Sequence, residues 1–460
     1  MNIAGVEVDD GELDRVIRQE LFARLVEAWG DVRGIRERMR ARTLCREELR
    51  VVAEGMLQLL LDDTAEFEFY KQAELQSRLI DLALDQLESE ALAPPLRLRN
   101  IARQLTTVPV HALIFNAFPL VTHELYPLMV DAFTAGKLTV VGVHERWLVG
   151  DAFRRAIFLD EDTLDLVEAD VLDAPAISSA QVLALDLREE HGAHRRIESR
   201  LTTSWWNSAV GAEKLDDKNW TGVCWQNAGL DTPRFVTLCA KHSDAELQAL
   251  IAEITESSQS LILKPIDATE GRGVRRIFAD STEAFAVIRH QLSSGMWMLM
   301  EERGTVCCAT TAGAVPFVLR INVFWDVNAA FAESSYAQVA ASSTGIASVG
   351  QGGRIVSTSV LWKQLCDAKG NSYHPHNADW HRIVDIAQSG VRILALELGT
   401  YMPALVGVDM LLDFTNDGEL TPVLLEANGR PAGLGHSRLL AVDAPGEEPG
   451  VSVKLWISAR

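Results

Sequence analysis

The sequence contains little cysteine and no long run of apolar residues. The cysteines are Cys45, Cys224, Cys239, Cys307, Cys308 and Cys366, six in 460 residues. None has the Cys-x-x-Cys spacing of a zinc or redox motif, so we expect reduced thiols and neither a disulfide framework nor a zinc site. No stretch reaches the roughly 20 apolar residues that cross a bilayer, and residues 1–21 lack the apolar run of a secretory signal. The default expectation is a cytoplasmic protein.

Basic residues are also scarce, with 43 Lys and Arg against 64 Asp and Glu and a formal net charge of −21. Nucleic acids and anionic membranes are bound by clustered Lys and Arg, so we exclude both as broad partners. An anionic ligand would have to meet a local basic site. The chain also lacks low-complexity tracts and is 48% hydrophobic, which predicts a folded protein. Its length predicts two or three domains.

The N-terminal region has a helical pattern. Apolar residues recur every four positions over residues 13–29, and similar patterns cover residues 47–61 and 74–87. Pro94 and Pro95 then break the pattern. We therefore predict a helical N-terminal region over residues 1–95.

A change of pattern near residue 109 predicts a second domain. Short apolar runs at 111–115, 138–142 and 181–186 are separated by segments of helical length. This alternation is typical of a small α/β domain with a partly parallel sheet. We assign it to residues 96–205.

Two β-type runs near the C-terminus flank the pair Asp417-Gly418, which is a strong hairpin signal. If this pair is a two-residue turn, Asn416 pairs with Glu419, and counting outward places Asp409 opposite Glu426. The strand period of two places Asn428 on the same face.

Asp409, Glu426 and Asn428 would thus present two carboxylates and an amide oxygen together, which are the ligands that Mg²⁺ prefers. Such a group on an apolar ribbon is costly without a cation. The alternative is an exposed hairpin face, because polar residues alternate on any half-buried strand.

A second candidate site follows the apolar run that ends in Lys264-Pro265. The next residues form a glycine-containing loop with Glu270, Gly271, Gly273 and Val274. A lysine at the end of a strand, followed by such a loop, can contact nucleotide phosphates through its charge and backbone N–H groups. The alternative is an ordinary surface turn with a lysine that reaches solvent.

The order of these segments resembles the ATP-grasp superfamily, and within it the carboxylate-amine or L-amino acid ligases. Lys218, followed by Gly229 to Pro233, is similar to the first lysine and its Gly-x-x-x-Pro lead-in. Lys264 and the loop after it resemble the second lysine and the mobile phosphate-covering loop. Residues 298–302 resemble the strand and hinge that hold adenine, and the hairpin resembles the metal-binding one. The resemblance covers roughly residues 200 to 437.

The resemblance implies a mixed α/β (α+β) ATP-grasp fold with a small α/β pre-ATP-grasp domain. The catalytic unit would span 206–437 as two subdomains with a hinge near 298–304, followed by a tail at 438–460. It also implies ATP and one or two Mg²⁺ ions, for which Mn²⁺ could substitute. The implied nucleotide-binding residues are Lys218, Lys264, Glu270, Gly271, Gly273, Val274, Glu301 and Glu302, with the ribose-binding acid left open, and the implied metal ligands are Asp409, Glu426 and Asn428.

Two arginines are candidate catalytic residues. Arg320 interrupts an apolar β-type run and resembles the family's arginine near the γ-phosphate or acyl phosphate; the alternative is an edge-strand arginine that faces solvent. Arg430, two residues past Asn428, could hold a substrate carboxylate bidentately, or it could be a plain loop arginine. The glycine cluster 350–353 could line the substrate cleft or merely connect two strands.

The expected function is an ADP-forming ligase that activates a carboxylate as an acyl phosphate and joins it to an amine, with amino acids as the expected small-molecule substrates. One alternative is a kinase of the same fold that phosphorylates a hydroxyl. Another is a peptide-modifying or carrier-dependent ligase with the N-terminal helices as its recognition module, and a third is a non-catalytic ATP-binding regulator. Dimers are common among related enzymes, so a homodimer is a candidate state.

Overall fold

The computed structural model describes residues 109–430 with short internal gaps, together with four short strands nearer the N-terminus. The gaps are residues 117–121, 137, 161, 165, 173–175, 185–189, 256–259, 267–272, 279–283, 311–312, 349–350 and 352. Within the predicted helical region 1–95, only β1 (Asn2–Ile3) and β2 (Val6–Glu7) are described, and they pair antiparallel. The predicted helices of that region and the predicted tail 438–460 lie outside the described residues.

The first large sheet contains eight strands and is partly parallel. Its strands, with the small hairpin β7–β8 beside them, are β3 (Leu96–Leu98), β4 (Arg103–Gln104), β5 (Val110–Phe115), β6 (Thr139–His144), β7 (Leu148–Val149), β8 (Ala152–Phe153), β9 (Arg155–Leu159), β10 (Leu166–Leu172), β11 (Ser179–Ala184) and β12 (Ser204–Trp205). The order is β12-β11-β5-β6-β9-β10-β3, with β4 beside β10. Strands β12, β11, β5 and β6 run parallel, whereas β9 runs antiparallel to β6 and β10. The predicted α/β character of this region is confirmed.

Burial explains why β5, an inner strand of this sheet, is apolar apart from His111. All six residues of β5 are buried, as in a parallel strand that is covered on both faces. Helix α1 (Thr122–Ala135) packs against β6 and β9 on one face. Helix α2 (Glu190–Glu198) follows β11 and contributes to the core on the other face.

A four-stranded antiparallel sheet forms the second unit, in the order β13-β16-β14-β15. Its strands are β13 (Phe235–Leu238), β14 (Ser260–Pro265), β15 (Arg275–Phe278) and β16 (Trp297–Glu301). Helices α5 (Asp244–Thr255) and α6 (Ala284–Gln291) bury apolar residues against it. Helices α3 (Ala209–Asp216) and α4 (Lys218–Asn227) lead into this unit, and Asp217 caps α4 by accepting from Trp220 N at 3.0 Å.

A five-stranded antiparallel sheet forms the third unit, in the order β21-β20-β19-β23-β24. Its strands are β19 (Phe317–Asp326), β20 (Ala329–Val339), β21 (Arg354–Ser357), β23 (Leu405–Phe414) and β24 (Leu420–Asn428). Beside it lie β17 (Val306–Thr310), β18 (Gly313–Val315), β22 (Leu365–Asp367) and the short helix α7 (Thr358–Trp362). The long helix α8 (Asn377–Leu398) buries a stripe from Trp380 to Ala395 at spacings of three and four residues against β19, β20, β23 and β24.

The β23–β24 hairpin differs from its predicted turn. Asn416 does not pair with Glu419; instead Thr415 N donates to Glu419 O at 2.8 Å across a three-residue loop that ends in Gly418 at φ +81°. This loop type places a glycine in the left-handed region. A bulge at Leu425 then adds one residue to β24, so Asp409 still pairs with Glu426.

The described residues therefore form a mixed α/β fold, as predicted. Strand β12 ends at Trp205, and the predicted domain limits stay predictions. No helix in the described part of the chain has both the length and the apolar character needed to cross a membrane.

Candidate functional site

Four side chains form a row across the five-stranded sheet. The strand register pairs Tyr336 with Arg320, Arg320 with Asp409, and Asp409 with Glu426. Arg320 donates from Nε to Asp409 Oδ1 and from Nη2 to Asp409 Oδ2, both at 2.6 Å. Strand β19 is the central strand, so the alternative of a solvent-facing edge arginine does not apply to Arg320.

The bulge in β24 determines which side chains face the cleft. In a regular strand Leu425 and Glu426 would point to opposite faces. Because the bulge gives β24 one extra residue opposite Asp409, both Leu425 and Glu426 line the same cleft. The bulge thus places an apolar residue next to a carboxylate.

Asp409, Glu426 and Asn428 are brought together as the sequence predicted. Asn428 Nδ2 lies 3.5 Å from Asp409 Oδ2 and donates to Gly407 O at 3.3 Å. Two carboxylates and an amide are hard oxygen donors that suit Mg²⁺. No group of three His, Cys, Asp or Glu side chains with metal-binding geometry occurs among the described residues.

The two carboxylates of this set already have cationic partners within the chain. Burial raises the pKa of Asp409, and the Glu426 carboxylate adds to the rise, although the Arg320 guanidinium opposes it. Burial alone would raise the pKa of Glu426 as well, but Lys264, Lys218 and Arg320 outweigh it and lower that pKa to about 2. The set fits Mg²⁺ or Mn²⁺ by its oxygen donors, and the phosphates of a bound nucleotide would offset the positive charge that such a cation adds.

Two lysines approach the carboxylate pair from outside the five-stranded sheet. Lys264, at the end of β14, is only 5% exposed, and its Nζ donates to Glu426 Oε2 at 3.4 Å. Burial lowers the pKa of Lys264, although Glu426 opposes the shift. Lys218 begins α4, lines the same cleft and donates to Ile266 O at 3.2 Å. An anionic phosphate beside these lysines would add compensating charge.

The cleft between the four-stranded and five-stranded sheets has apolar walls away from these charges. Ile262 and Met300 line it from one sheet, and Phe317, Leu411 and Leu425 line it from the other. Its cavity volume is about 190 Å³. A cleft with apolar walls and a few convergent polar groups at one end suits a nucleotide whose base lies between apolar side chains.

The predicted hinge acids lie at the cleft but already have partners in the chain. Glu301 Oε1 accepts from Arg234 N at 3.0 Å and from Arg303 Nη1 at 3.2 Å. Glu302 accepts from Arg276 and from the hydroxyl of Ser260. These contacts fix the end of β16, so both acids serve the geometry of the hinge whether or not one of them also binds ribose.

The hinge segment is held by a further carboxylate that sequence reasoning did not single out. Asp413 accepts from Gly304 N and Thr305 N, both at 2.8 Å, and from Arg303 Nε. Burial would raise the pKa of Asp413, but the Thr305 N–H and the Arg303 guanidinium outweigh it and keep that pKa below its usual value. The only sequence signal was its spacing of four residues after Asp409 on the same strand face.

The predicted loop residues are described in part. Glu270 and Gly271 lie outside the described residues. Gly273 has φ +74°, and a Cβ there would lie 2.9 Å from Pro265 Cγ, which explains the glycine. Val274 lines the cleft, as predicted for a nucleotide-contacting loop. Gly350 and Gly352 of the glycine cluster 350–353 lie outside the described residues, whereas the preceding residues Gly345–Ser348 line the cleft.

Arg430 is not brought into the cleft. Its Nη2 donates to Asp216 Oδ2 and its Nη1 to His194 Nδ1 at 3.1 Å. Its side chain is 3% exposed. Sequence reasoning also missed Tyr336, which neighbours Arg320 in the sheet and whose pKa burial raises to about 12.

Comparison with solved structures returns matches of low sequence identity. D-cycloserine synthetase DcsG matches with a TM-score of 0.48 and 13% identity over 76% of this chain and 99% of its own. D-alanyl-alanine synthetase A from Vibrio cholerae O1 biovar eltor str. N16961 matches with a TM-score of 0.47 and 9% identity, over 77% of this chain and 99% of its own. The ATP-grasp ligase PsnB, complexed with minimal precursor, matches with a TM-score of 0.44 and 12% identity, over 77% of this chain and 100% of its own.

No family model and no curated protein matches the chain. We therefore infer its function from the residues of its own cleft.

Proposed function

We propose that the chain is an ATP-grasp ligase that activates a carboxylate with ATP and joins it to an amine, releasing ADP and phosphate. The observation that carries the proposal is that charged side chains from two sheets contact one another in one cleft. Lys264 from the four-stranded sheet donates to Glu426, which forms a carboxylate pair with Asp409 on the five-stranded sheet. This arrangement can hold a polyphosphate between lysines on one side and cation-bearing carboxylates on the other.

The apolar part of the same cleft would hold adenine. Met300 and Ile262 face Leu411 and Leu425 across the cleft, and the hinge is kept in place by Asp413. A base between these side chains would direct its phosphates toward Lys264 and Asp409. The nucleotide would therefore bind in one orientation, with its base at the apolar side chains and its phosphates at the charged ones.

The proposed reaction has two steps. A carboxylate oxygen of the substrate attacks the γ-phosphorus of ATP, and the bond from that phosphorus to the bridging oxygen of ADP breaks. The amine nitrogen of the second substrate then attacks the carbonyl carbon of the acyl phosphate, the carbon–oxygen bond to phosphate breaks, and the nitrogen loses a proton. Mg²⁺, when bound by Asp409, Glu426 and Asn428, supplies charge neutralisation on the phosphates.

The residues of this chain would act by position and charge. Arg320, fixed by two hydrogen bonds to Asp409, would place a permanent positive charge beside the transferred phosphoryl group. Lys264 and Lys218 would offset the charge of the polyphosphate. Phosphoryl transfer needs such positioning more than covalent catalysis.

We propose small-molecule amino acids as substrates, with the peptide or amide bond as product. The net charge of −21 disfavours heavily phosphorylated substrates and nucleic acids, which would need a broad basic surface. Cytoplasmic location and a homodimeric state belong to the same proposal.

The test is an assay of ADP, AMP and phosphate release with ATP, Mg²⁺ and a pool of amino acids, with the products analysed by mass spectrometry. The proposal predicts a condensed product with one ADP and one phosphate per bond. A product that has gained one phosphoryl group would indicate a kinase instead. Release of AMP and pyrophosphate, or ATP binding without turnover over the whole substrate pool, would contradict the ligase assignment.

A further inference from the structure

The two residues that follow strand β24 and the candidate metal ligands, Gly429 and Arg430, contact helix α3. Gly429 lies so close to this helix that a Cβ on it would be 2.5 Å from Ala212 Cα. Its carbonyl oxygen accepts from Asn207 Nδ2 at 3.2 Å. The next residue, Arg430, forms a buried ion pair with Asp216, the last residue of α3.

This ion pair connects two parts of the candidate site, although neither of its residues is among those that line the cleft. Asp216 is two positions before Lys218, and Arg430 is two positions after Asn428. Lys218 lines the cleft, whereas none of Arg430, Asp216 and His194 is among the described residues that line it. The ion pair therefore connects the start of α4, which carries the candidate phosphate-binding residue Lys218, to the end of β24, which carries the candidate metal ligand Asn428.

The partner on the other side of Arg430 makes the contact specific. His194 is fully buried, and its Nε2 lies 3.0 Å from the carbonyl oxygen of Asn207. A carbonyl oxygen can only accept, so Nε2 carries the hydrogen, and Nδ1 is left to accept from the Arg430 guanidinium at 3.1 Å. His194 and Asp216 together hold both ends of the planar guanidinium, a geometry that a lysine could not reproduce.

We infer that Arg430 is a positioning residue for magnesium-dependent nucleotide binding, acting through Asp216 and β24, and that it does not contact substrate. The inference rests on the proposed function. Partners outside the first set of metal ligands orient those ligands, and their loss commonly weakens metal affinity 10- to 100-fold. Removing only one partner would also leave a buried charge uncompensated, which destabilises the fold by itself.

The experiment separates positioning from stability with a pair of substitutions. Arg430→Met, Asp216→Asn and the paired variant are compared by calorimetric titration with ATP, once with excess Mg²⁺ and once with EDTA, and by thermal unfolding without ligand. We expect each single variant to melt earlier and to lose about tenfold of the magnesium-dependent ATP affinity. The paired variant should recover most of its melting temperature, because no unpaired charge remains, but should keep the weakened affinity. Arg155→Met, which removes an ion pair with Glu168 on the first sheet, is the control and should keep wild-type affinity.

Two results would overturn the inference while leaving the proposed function intact. One is wild-type magnesium-dependent affinity in folded single variants, and the other is a paired variant that regains both stability and affinity. Absence of magnesium-dependent ATP binding in the wild-type protein would overturn the inference and the proposed function together.

Discussion

Lys264 is the residue at which the two sheets of the cleft meet. Because it is buried beside Glu426 and burial lowers its pKa, an added anion would stabilise its charged form. Lys264→Met keeps the length and removes the charge. We expect it to weaken MgATP binding by about 10- to 100-fold. This factor corresponds to the loss of one charge-assisted hydrogen bond, which is worth about 1.5–3 kcal/mol.

The matched control for this substitution is Lys241→Met. Lys241 is exposed and outside the described lining of the cleft. Equilibrium binding of a fluorescent ATP analogue to both variants is the measurement. Equal affinities for the two variants would remove Lys264 from the phosphate-binding role.

The hinge is held by a carboxylate that makes its stability depend on pH. Asp413 holds the N–H groups of Gly304 and Thr305 and the Arg303 guanidinium, and its pKa lies below the usual value in the folded protein. Its stabilisation is therefore fully present above the unfolded-chain pKa of about 3.9 and is lost as the pH falls through the lower folded-state value. Asp413→Asn should cost about 1–3 kcal/mol at neutral pH.

Urea denaturation of wild type and Asp413→Asn at neutral pH and near pH 3 tests this prediction. The difference in the free energy of unfolding should shrink at the acid end, where the wild-type carboxylate becomes protonated. A difference that is the same at both pH values would show that the ionised carboxylate does not hold the hinge.

The β23–β24 turn is an element with one residue of special backbone geometry. Gly418 has φ +81°, which costs an L-residue about 1–2 kcal/mol. Gly418→Ala should lower the free energy of unfolding by about that amount without changing MgATP affinity. Asp417→Ala, one residue earlier, should change stability by less than about 0.5 kcal/mol. A Gly418→Ala variant as stable as wild type would contradict the turn geometry.

The same hairpin shows what a sequence pattern can and cannot predict. The Asp-Gly pair and the strand period predicted Asp409 opposite Glu426, and that pair is confirmed. The intermediate step was wrong, because the turn has three residues and the bulge at Leu425 restores the register. A bulge depends on packing of the finished sheet, so no short pattern indicates it.

Across the whole molecule, the residues that sequence reasoning missed or placed elsewhere depend on distant partners. Tyr336 lies beside Arg320 only because β20 and β19 pair, and Arg303 meets Asp413 more than a hundred positions away along the chain. Arg430 is held by His194 and Asp216, which precede it by more than two hundred positions. Local motifs predicted Lys264, Asp409, Glu426 and Asn428 because strand period and turn chemistry act over short distances.

The central claim is that Asp409 and Glu426 hold divalent cations against the phosphates of ATP. The direct measurement is calorimetric titration of ATP, with excess Mg²⁺ and with EDTA, into wild type, Glu426→Gln and Glu419→Gln. Glu419, whose side chain is 72% exposed on the same hairpin, is the matched control. Wild type and Glu419→Gln should bind ATP more tightly with Mg²⁺, and Glu426→Gln should lose about 10- to 100-fold of that gain with an unaltered circular dichroism spectrum. A folded Glu426→Gln variant with wild-type magnesium-dependent affinity would contradict the account.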